Sequence, residues 1–198
     1  AILFIDVDDS ACARYRYREP HFTVARAHGL ACLTAAVAGR KHLQRLRDDS
    51  DDVFLLDTLS VQAILDLVGQ FDGRYQIRAI FCHAGHPSAQ GEVGCIVAQA
   101  CMLLGLVHNS ADAVAVCNNK FLMRSALKKH GLRSVPFALC NDERQLQQGA
   151  QRVGYPLIAK PPFGAASTFI KKCSNWAELR EHYGLFLTKH GSSAYADL

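Results

Sequence analysis

An α/β fold is what this sequence predicts: a parallel sheet covered by helices, followed by a smaller α+β unit. Three observations carry that reading. Short, continuous apolar runs recur over the first half, at Ile2–Val7, Leu30–Val37, Val53–Leu56 and Ala79–Cys82, the pattern of strands buried on both faces. Helix-forming segments fall between them, and that alternation builds a parallel sheet with helices on both sides. After residue 110 the style changes, and two short runs, Leu157–Lys160 and Thr168–Cys173, flank one polar loop as a hairpin would. The expected division is therefore 1–110 and 111–198.

The elements follow in order. Ile2–Val7 opens the sheet. Phe22–His28 suits a helix, with Gly29 as its C-terminal stop. Leu30–Val37 is the second strand, Lys41–Arg47 a polar connection or short helix, and Asp48-Asp-Ser-Asp-Asp52 an acidic turn. Val53–Leu56 is the third strand, ending in Asp57. Ser60 stands where an N-cap belongs, ahead of Val61, Ile64, Leu65 and Val68 at helical spacing and Gly69. Ala79–Cys82 is the fourth strand, and 83–91, rich in Gly, His, Ser and Pro, is the loop at its C-terminal end. Glu92–Leu104 is an apolar helix closed by Gly105. In the second unit, Asn118–His130 is an amphipathic helix stopped by Gly131, and Val135–Cys140 reads as a strand. Asp142 is placed to cap a helix, with Gln145 completing a capping box. Ser174 is placed to cap a last helix that begins Asn175-Trp-Ala-Glu-Leu179, and 191–198 reads as an unfinished connection.

Composition removes several classes. Of 198 residues, 49% are hydrophobic and 20% charged, ordinary for a globular chain of one domain and part of a second. No apolar run reaches the roughly 18 residues that span a bilayer. The apolar start lacks a basic flank or cleavage-like site, and its first residue is not Met, so N-terminal sequence is expected to be missing. No membrane partner is expected. The net charge is only +4, with scattered basic residues. The dense cluster Arg14-Tyr-Arg-Tyr-Arg18 suits either stacking on a single-stranded nucleic acid or a solvated loop. One such patch does not make a groove, and no nucleic-acid partner is expected. The eight cysteines contain no Cys-x-x-Cys, and several sit in apolar runs, as Cys32 and Cys101 do. There a thiol acts as a small hydrophobe, which fits a reduced, cytoplasmic protein. Cys82-His83-x-x-His86 gathers three soft ligands. No second cluster lies nearby, and a strand end entering a polar loop accounts for it equally, so no metal site is expected within the chain.

The segment Gly154-Tyr-Pro-Leu-Ile-Ala-Lys160-Pro-Pro-Phe-Gly164-Ala-Ala-Ser167 carries the strongest chemical signal. A short strand delivers one lysine to its end, and a small-residue loop follows at once. That order presents an ammonium and backbone N–H groups to a phosphate. A second cluster, Asn118-Asn119-Lys120-Phe121-Leu122-Met123-Arg124, opens a helix upstream. Each has a plainer alternative. A lysine after a strand is often only solvated, Lys120 could complement an acidic face, and Arg124 could reach a phosphate or pair with an acid. Glu92 could contact substrate, or only favour a helix start as a carboxylate does there.

Taken in order, Lys120 with Met123-Arg124, the Gly131…Pro136 turn, Gly154-Tyr-Pro156, Lys160-Pro161 and the loop Gly164–Ser167 resemble the nucleotide-binding entry of the ATP-grasp ligases. The resemblance is best over 90–180. It implies a Rossmann-like leading domain followed by an incomplete first ATP-grasp subdomain. It implies ATP bound through Lys120, Lys160, Gly164, Ala165, Ala166 and Ser167, with Glu92 as a possible substrate contact. The reaction implied is ATP-dependent joining of a small-molecule carboxylate to an amine through an acyl phosphate. Magnesium is implied too, but the carboxylates that hold it in the family would fall beyond Leu198, so this chain alone is expected to be inactive. The phrase from Glu92 through Leu104-Gly105-Leu106 into Lys120 is similar to the L-amino acid ligase and carnosine synthase branch. A homodimer through the helix Glu92–Leu104 is one reading; a core helix is the other.

The loop departs from the family, which usually carries several glycines where Ala165 and Ala166 stand. Alanines still donate backbone N–H groups but restrict φ. A dinucleotide-dependent oxidoreductase fits poorly, because Asp6-Val-Asp-Asp-Ser10 follows the first strand with no Gly-x-Gly-x-x-Gly, and acids there repel a pyrophosphate. A non-catalytic nucleotide-binding or protein-interaction module with the same fold is the remaining alternative.

Overall fold

The computed structural model describes residues 1–6, 18–37, 43–82, 90–163 and 169–190. Its contacts divide the chain into two units, Ala1–Ala115 and Val116–Leu198.

The first unit is a four-stranded sheet in the order β3-β2-β1-β4, built from β1 (Ile2–Asp6), β2 (Cys32–Val37), β3 (Asp52–Leu56) and β4 (Ala79–Cys82). Every pairing is parallel, with Ile2 opposite both Cys32 and Ala79. Side chains alternate across a strand, so β1 serves two cores. Leu3 and Ile5 join the larger cluster with Leu33, Ile64, Val97 and Cys101. Phe4 points to the other side, with Phe22, Ala25 and Cys32. Helices α3 (Val61–Gly69) and α4 (Gln90–Leu103) therefore cover one face, and α1 (Arg18–Ala27) covers the other. The Ser60 cap is as expected, its hydroxyl accepting from Ala63 N–H at 3.1 Å.

Several expectations need correction. The first helix starts at Arg18, four residues earlier than its apolar pattern suggests. Lys41–Arg47 resolves into helix α2 (Leu43–Asp49), which takes in Asp48 and Asp49, so the acidic run does not act as a single turn. Its later members have structural work. Asp51 accepts from the Cys32 N–H at 2.6 Å, and Asp52 pairs with Arg74 at 2.9 Å. Gly69 ends α3 rather than following it, and the reversal comes at Asp72 and Gly73, both with positive φ.

The second unit is helical around a two-stranded antiparallel sheet. β5 (Leu157–Ala159) pairs with β6 (Lys171–Cys173), Leu157 opposite Cys173, which is the expected hairpin with shorter strands. The predicted helix over Asn118–His130 is α6 (Lys120–Lys129), capped by Asn119, and another helix, α5 (Ala111–Asn118), precedes it. Sequence reading missed α5. Val135–Cys140 is no strand: its alternation of Val, Phe and Leu is right, but a strand needs a ladder partner and none exists among the described residues. Helix α7 (Glu143–Val153) is capped as expected by Asp142, while Gln145 reaches back to the N–H of Asn141 at 3.0 Å. Helix α8 (Trp176–His190) is capped by Asn175, not Ser174. Asn175 accepts from Glu178 N–H, and Glu178 accepts from Ser174 N–H at 2.8 Å, the same reciprocal arrangement one element later.

Candidate functional site

The chemistry-bearing residues of the second unit gather around one cavity. Asn119 begins it. Its side chain is buried and accepts from the N–H groups of Phe121 and Leu122 at 2.9 and 3.0 Å. Two orphan donors of α6 are thereby satisfied, and Lys120 becomes the first helical residue. The Lys120 N–H donates across to the Pro162 carbonyl at 2.8 Å. Pro161 and Pro162 have no N–H of their own, so this stretch after β5 offers carbonyls only. One such carbonyl ties the start of α6 to the residues that follow Lys160.

Two lysines distant in sequence are thus brought to one place. Lys160 stands exposed directly after β5, and Lys120 is half-buried. Burial holds the Lys120 ammonium below its ordinary pKa, and the neighbouring charge of Lys160 lowers it further. Arg124, one turn along α6, donates from Nη1 to Ser134 Oγ at 3.4 Å. All three cations line a cavity of about 630 Å³.

The rest of the lining is mostly apolar. Val135–Leu139 forms one wall, Leu146, Gly149, Ala150 and Val153 of α7 another, and Leu179, Phe186 and Leu187 of α8 a third. Among the described residues, no aspartate or glutamate lines it. Gly149 is required by closeness: a Cβ there would meet Cys140 Sγ at 2.8 Å and Ala138 Cβ at 3.0 Å. Tyr183 donates to the Asn141 carbonyl at 3.1 Å, tying α8 to the far end of that first wall. His182, also in the lining, bonds through Nε2 to the Phe169 carbonyl at 3.0 Å. A carbonyl only accepts, so Nε2 carries the proton. Phe169 itself has φ of 55°, unusual for a bulky residue, and its ring meets Phe186 edge-on at 5.6 Å.

Of the residues expected from sequence, the structure brings Lys120 and Lys160 together. Gly164, Ala165, Ala166 and Ser167 lie outside the described residues, as do His83, His86 and Arg14–Tyr17. Glu92 lies in α4, in the first unit, and its side chain falls outside the description. Sequence reading missed Asn119 as a cap and the wall residues Phe169, His182 and Tyr183. The doubled Asn118-Asn119 ahead of an amphipathic run was the available signal for the first; nothing local marked the others. Among the described residues, no group of three or more His, Cys, Asp or Glu is placed to hold a metal ion. The seven described cysteines are all free thiols, and burial raises the pKa of most, among them Cys101 and Cys173.

No family model matches the chain. Among curated proteins, 83 residues are 30% identical to D-alanine--D-alanine ligase of Bordetella petrii, covering 41% of this chain and 26% of that one. A stretch of 131 residues is 25% identical to the uncharacterized protein y4rH of Sinorhizobium fredii, covering 66% of this chain and 26% of that one. Solved structures match over nearly the whole chain. The biotin carboxylase domain of Hydrogenobacter thermophilus 2-oxoglutarate carboxylase, in complex with MgADP and bicarbonate, superposes with TM-score 0.66 at 16% identity. That match covers 98% of this chain and 41% of that one. L-amino acid ligase from Bacillus licheniformis gives TM-score 0.66 at 18% identity, over 96% and 41%. N5-carboxyaminoimidazole synthetase from Staphylococcus aureus, complexed with ADP, gives 0.65 at 18%, over 95% and 45%. A parallel sheet followed by a small hairpin unit is thus the architecture these enzymes share with this chain. The chain has the ATP-grasp fold over the part these structures share with it. It spans about a quarter of the length of the curated relatives it matches and about two fifths of these solved structures.

Proposed function

We propose that this chain supplies the Rossmann-like leading domain and the first nucleotide-contacting subdomain of an ATP-dependent carboxylate–amine ligase acting through an acyl phosphate. One observation carries the reading: Lys120 and Lys160, from separate elements, line the same mostly apolar cavity, close enough that the charge of Lys160 lowers the pKa of Lys120. Two ammonium groups beside apolar walls attract an anionic ligand. A ligand with a polyphosphate at one end and a flat apolar body at the other suits both parts, and about 630 Å³ lies within the usual range for small-molecule sites.

ATP fits those residues, and when bound it supplies the phosphoryl group that activates a carboxylate. Lys120 and Lys160 then serve as fixed point charges against the phosphates, on a helix start and a strand end. The loop Gly164–Ser167 is proposed to donate backbone N–H groups and, from Ser167, a hydroxyl, shielding the phosphates from water. In the reaction a carboxylate oxygen attacks the terminal phosphorus and ADP leaves. An amine nitrogen then attacks the acyl carbon, and phosphate departs with its electron pair as the nitrogen gives up a proton. Magnesium is proposed to accompany ATP; among the described residues no group of three or more His, Cys, Asp or Glu is placed to hold it, and no step here depends on it.

The substrates proposed are amino acids, with Glu92 as a contact to one of them. The similarity to proteins described as an L-amino acid ligase and a D-alanine--D-alanine ligase supports that choice. A cytoplasmic location and a homodimer through α4 belong to the same proposal. Among the described residues, no helix is long and apolar enough to cross a membrane.

The test is nucleotide product analysis on the full-length protein with MgATP and pooled amino acids. Amino-acid-dependent release of ADP and phosphate, abolished by Lys160→Ala, is the expected result. Release of AMP and pyrophosphate would replace acyl-phosphate chemistry with adenylation. ATP binding without turnover would favour a non-catalytic nucleotide-binding module.

A further inference from the structure

Arg124 has a position that packing alone does not explain. It is half-buried on the face of α6 that carries Lys120, and residues four apart on a helix are neighbours, roughly 6 Å along the axis. Arg124 lines the same cavity as Lys120 and Lys160. Its recorded partner is a hydroxyl, Ser134 Oγ at 3.4 Å, and no carboxylate pairs with it among the described residues. That separates it from Arg26, Arg74 and Arg180, which lie against Asp51, Asp52 and Glu143. Ser134 is itself oriented, its hydroxyl donating to the Val135 carbonyl at 3.3 Å, so its oxygen is left to accept from Arg124. Among the described residues, a single neutral acceptor holds the guanidinium in place, and no carboxylate there compensates its charge.

We infer that Arg124 is a third cation of the phosphate site, which Ser134 holds ready to contact the polyphosphate chain of a nucleoside triphosphate. The inference rests on the ATP reading of this cavity and deepens it. A chain of phosphates spreads its charge along a line, and Lys120 followed one turn later by Arg124 offers cations along a line. A planar fork of N–H donors adds hydrogen bonds to phosphate oxygens that a lysine cannot match in geometry.

Titration calorimetry on the full chain tests it, with MgATP, MgADP and adenosine as probes and Lys160→Ala run in parallel. Arg124→Gln is expected to weaken MgATP about tenfold or more, the usual effect of losing a charge-assisted hydrogen bond. Adenosine affinity should stay unchanged, and the residual MgATP affinity should fall less steeply with added salt than in the parent. Arg124→Lys, which keeps the charge but not the fork, should recover part of the loss. Ser134→Ala should cost a few-fold, again for MgATP and not adenosine. If Arg124→Gln binds MgATP like the parent while Lys160→Ala does not, Arg124 is only a pin for the turn before Val135 and the inference is wrong. Equal losses for MgATP and adenosine would overturn it too, as a general disturbance of the cavity. Failure of the parent to bind MgATP would remove both this inference and the ATP reading beneath it.

Discussion

The two units spend their apolar and charged residues differently. In Ala1–Ala115 the sheet consumes them: Leu3, Leu33, Ala35 and Ile64 have no exposure, and Arg26 and Arg74 lie against Asp51 and Asp52. In Val116–Leu198 the buried cluster is Ala150, Leu157, Cys173 and Leu179, and beside it about 630 Å³ stays open, edged by cations. The second unit also matches charges on its surface, as Lys171 does with Glu181 at 3.3 Å. Closed cores with paired charges serve stability, whereas local violations of those rules concentrate where a ligand completes the structure.

Substitutions can break or sharpen that contrast. The largest effect is expected from Leu33→Ala, which empties a site with no exposure at the centre of the sheet. It should cost about 2–5 kcal/mol in denaturant unfolding of the first unit, while the folded protein keeps its MgATP affinity. A matching loss of affinity would show that the two units do not divide their labour as stated.

Gly149→Ala probes the cavity wall. A helical alanine gains up to about 1 kcal/mol over glycine, but overlap with Cys140 Sγ and Ala138 Cβ costs about 1–3 kcal/mol. A net loss near 1 kcal/mol is expected from denaturant unfolding of the second unit, reduced when Cys140→Ala is added. A more stable Gly149→Ala would mean that the segment before Asn141 yields freely and that the wall is not fixed.

The smallest effect is a proton count. Lys120 has its folded pKa lowered by burial and then by Lys160. Below that lowered value it is charged in both folded and unfolded states, and the folded state bears the full penalty. As pH rises through the window up to the ordinary lysine value, the unfolded state holds more protons, and the penalty on folding is relieved. Phosphate bound beside Lys120 favours the charged form, so MgATP binding in that window should take up protons. Calorimetry in buffers of different ionisation enthalpy measures the uptake, and Lys160→Met should diminish it by removing one of the two causes. Uptake of zero throughout the window would place Lys120 away from the phosphates.

Much of the first unit was legible in sequence because its signals are local. Continuous apolar runs mark strands buried on both faces, and Ser60 announces a helix start by residue type, as Asp142 does in the second unit. Boundaries were less readable where two candidates compete. Asn118 and Asn119 both suit a helix end, and only the buried geometry of Asn119, accepting two N–H groups, shows where α6 begins. Ser174 and Asn175 compete likewise, and Asn175 holds the cap while Glu178 satisfies the Ser174 N–H. Val135–Cys140 failed for another reason. Alternation describes the faces of an extended segment, but pairing depends on a partner elsewhere in the chain.

What the sequence by itself determined is the order of elements, the parallel character of the first unit, the hairpin of the second, and the two lysines as candidates for a phosphate. Propensity, periodicity and capping act over a few residues, and those features follow from them. Only the tertiary structure decided that Lys120 and Lys160 share a place, through one hydrogen bond from the start of α6 to the Pro162 carbonyl. It alone set Arg124 against Ser134 and brought all three cations to the lining of one mostly apolar cavity. Those facts concern groups distant in sequence, and their distances are fixed by packing that no local pattern encodes.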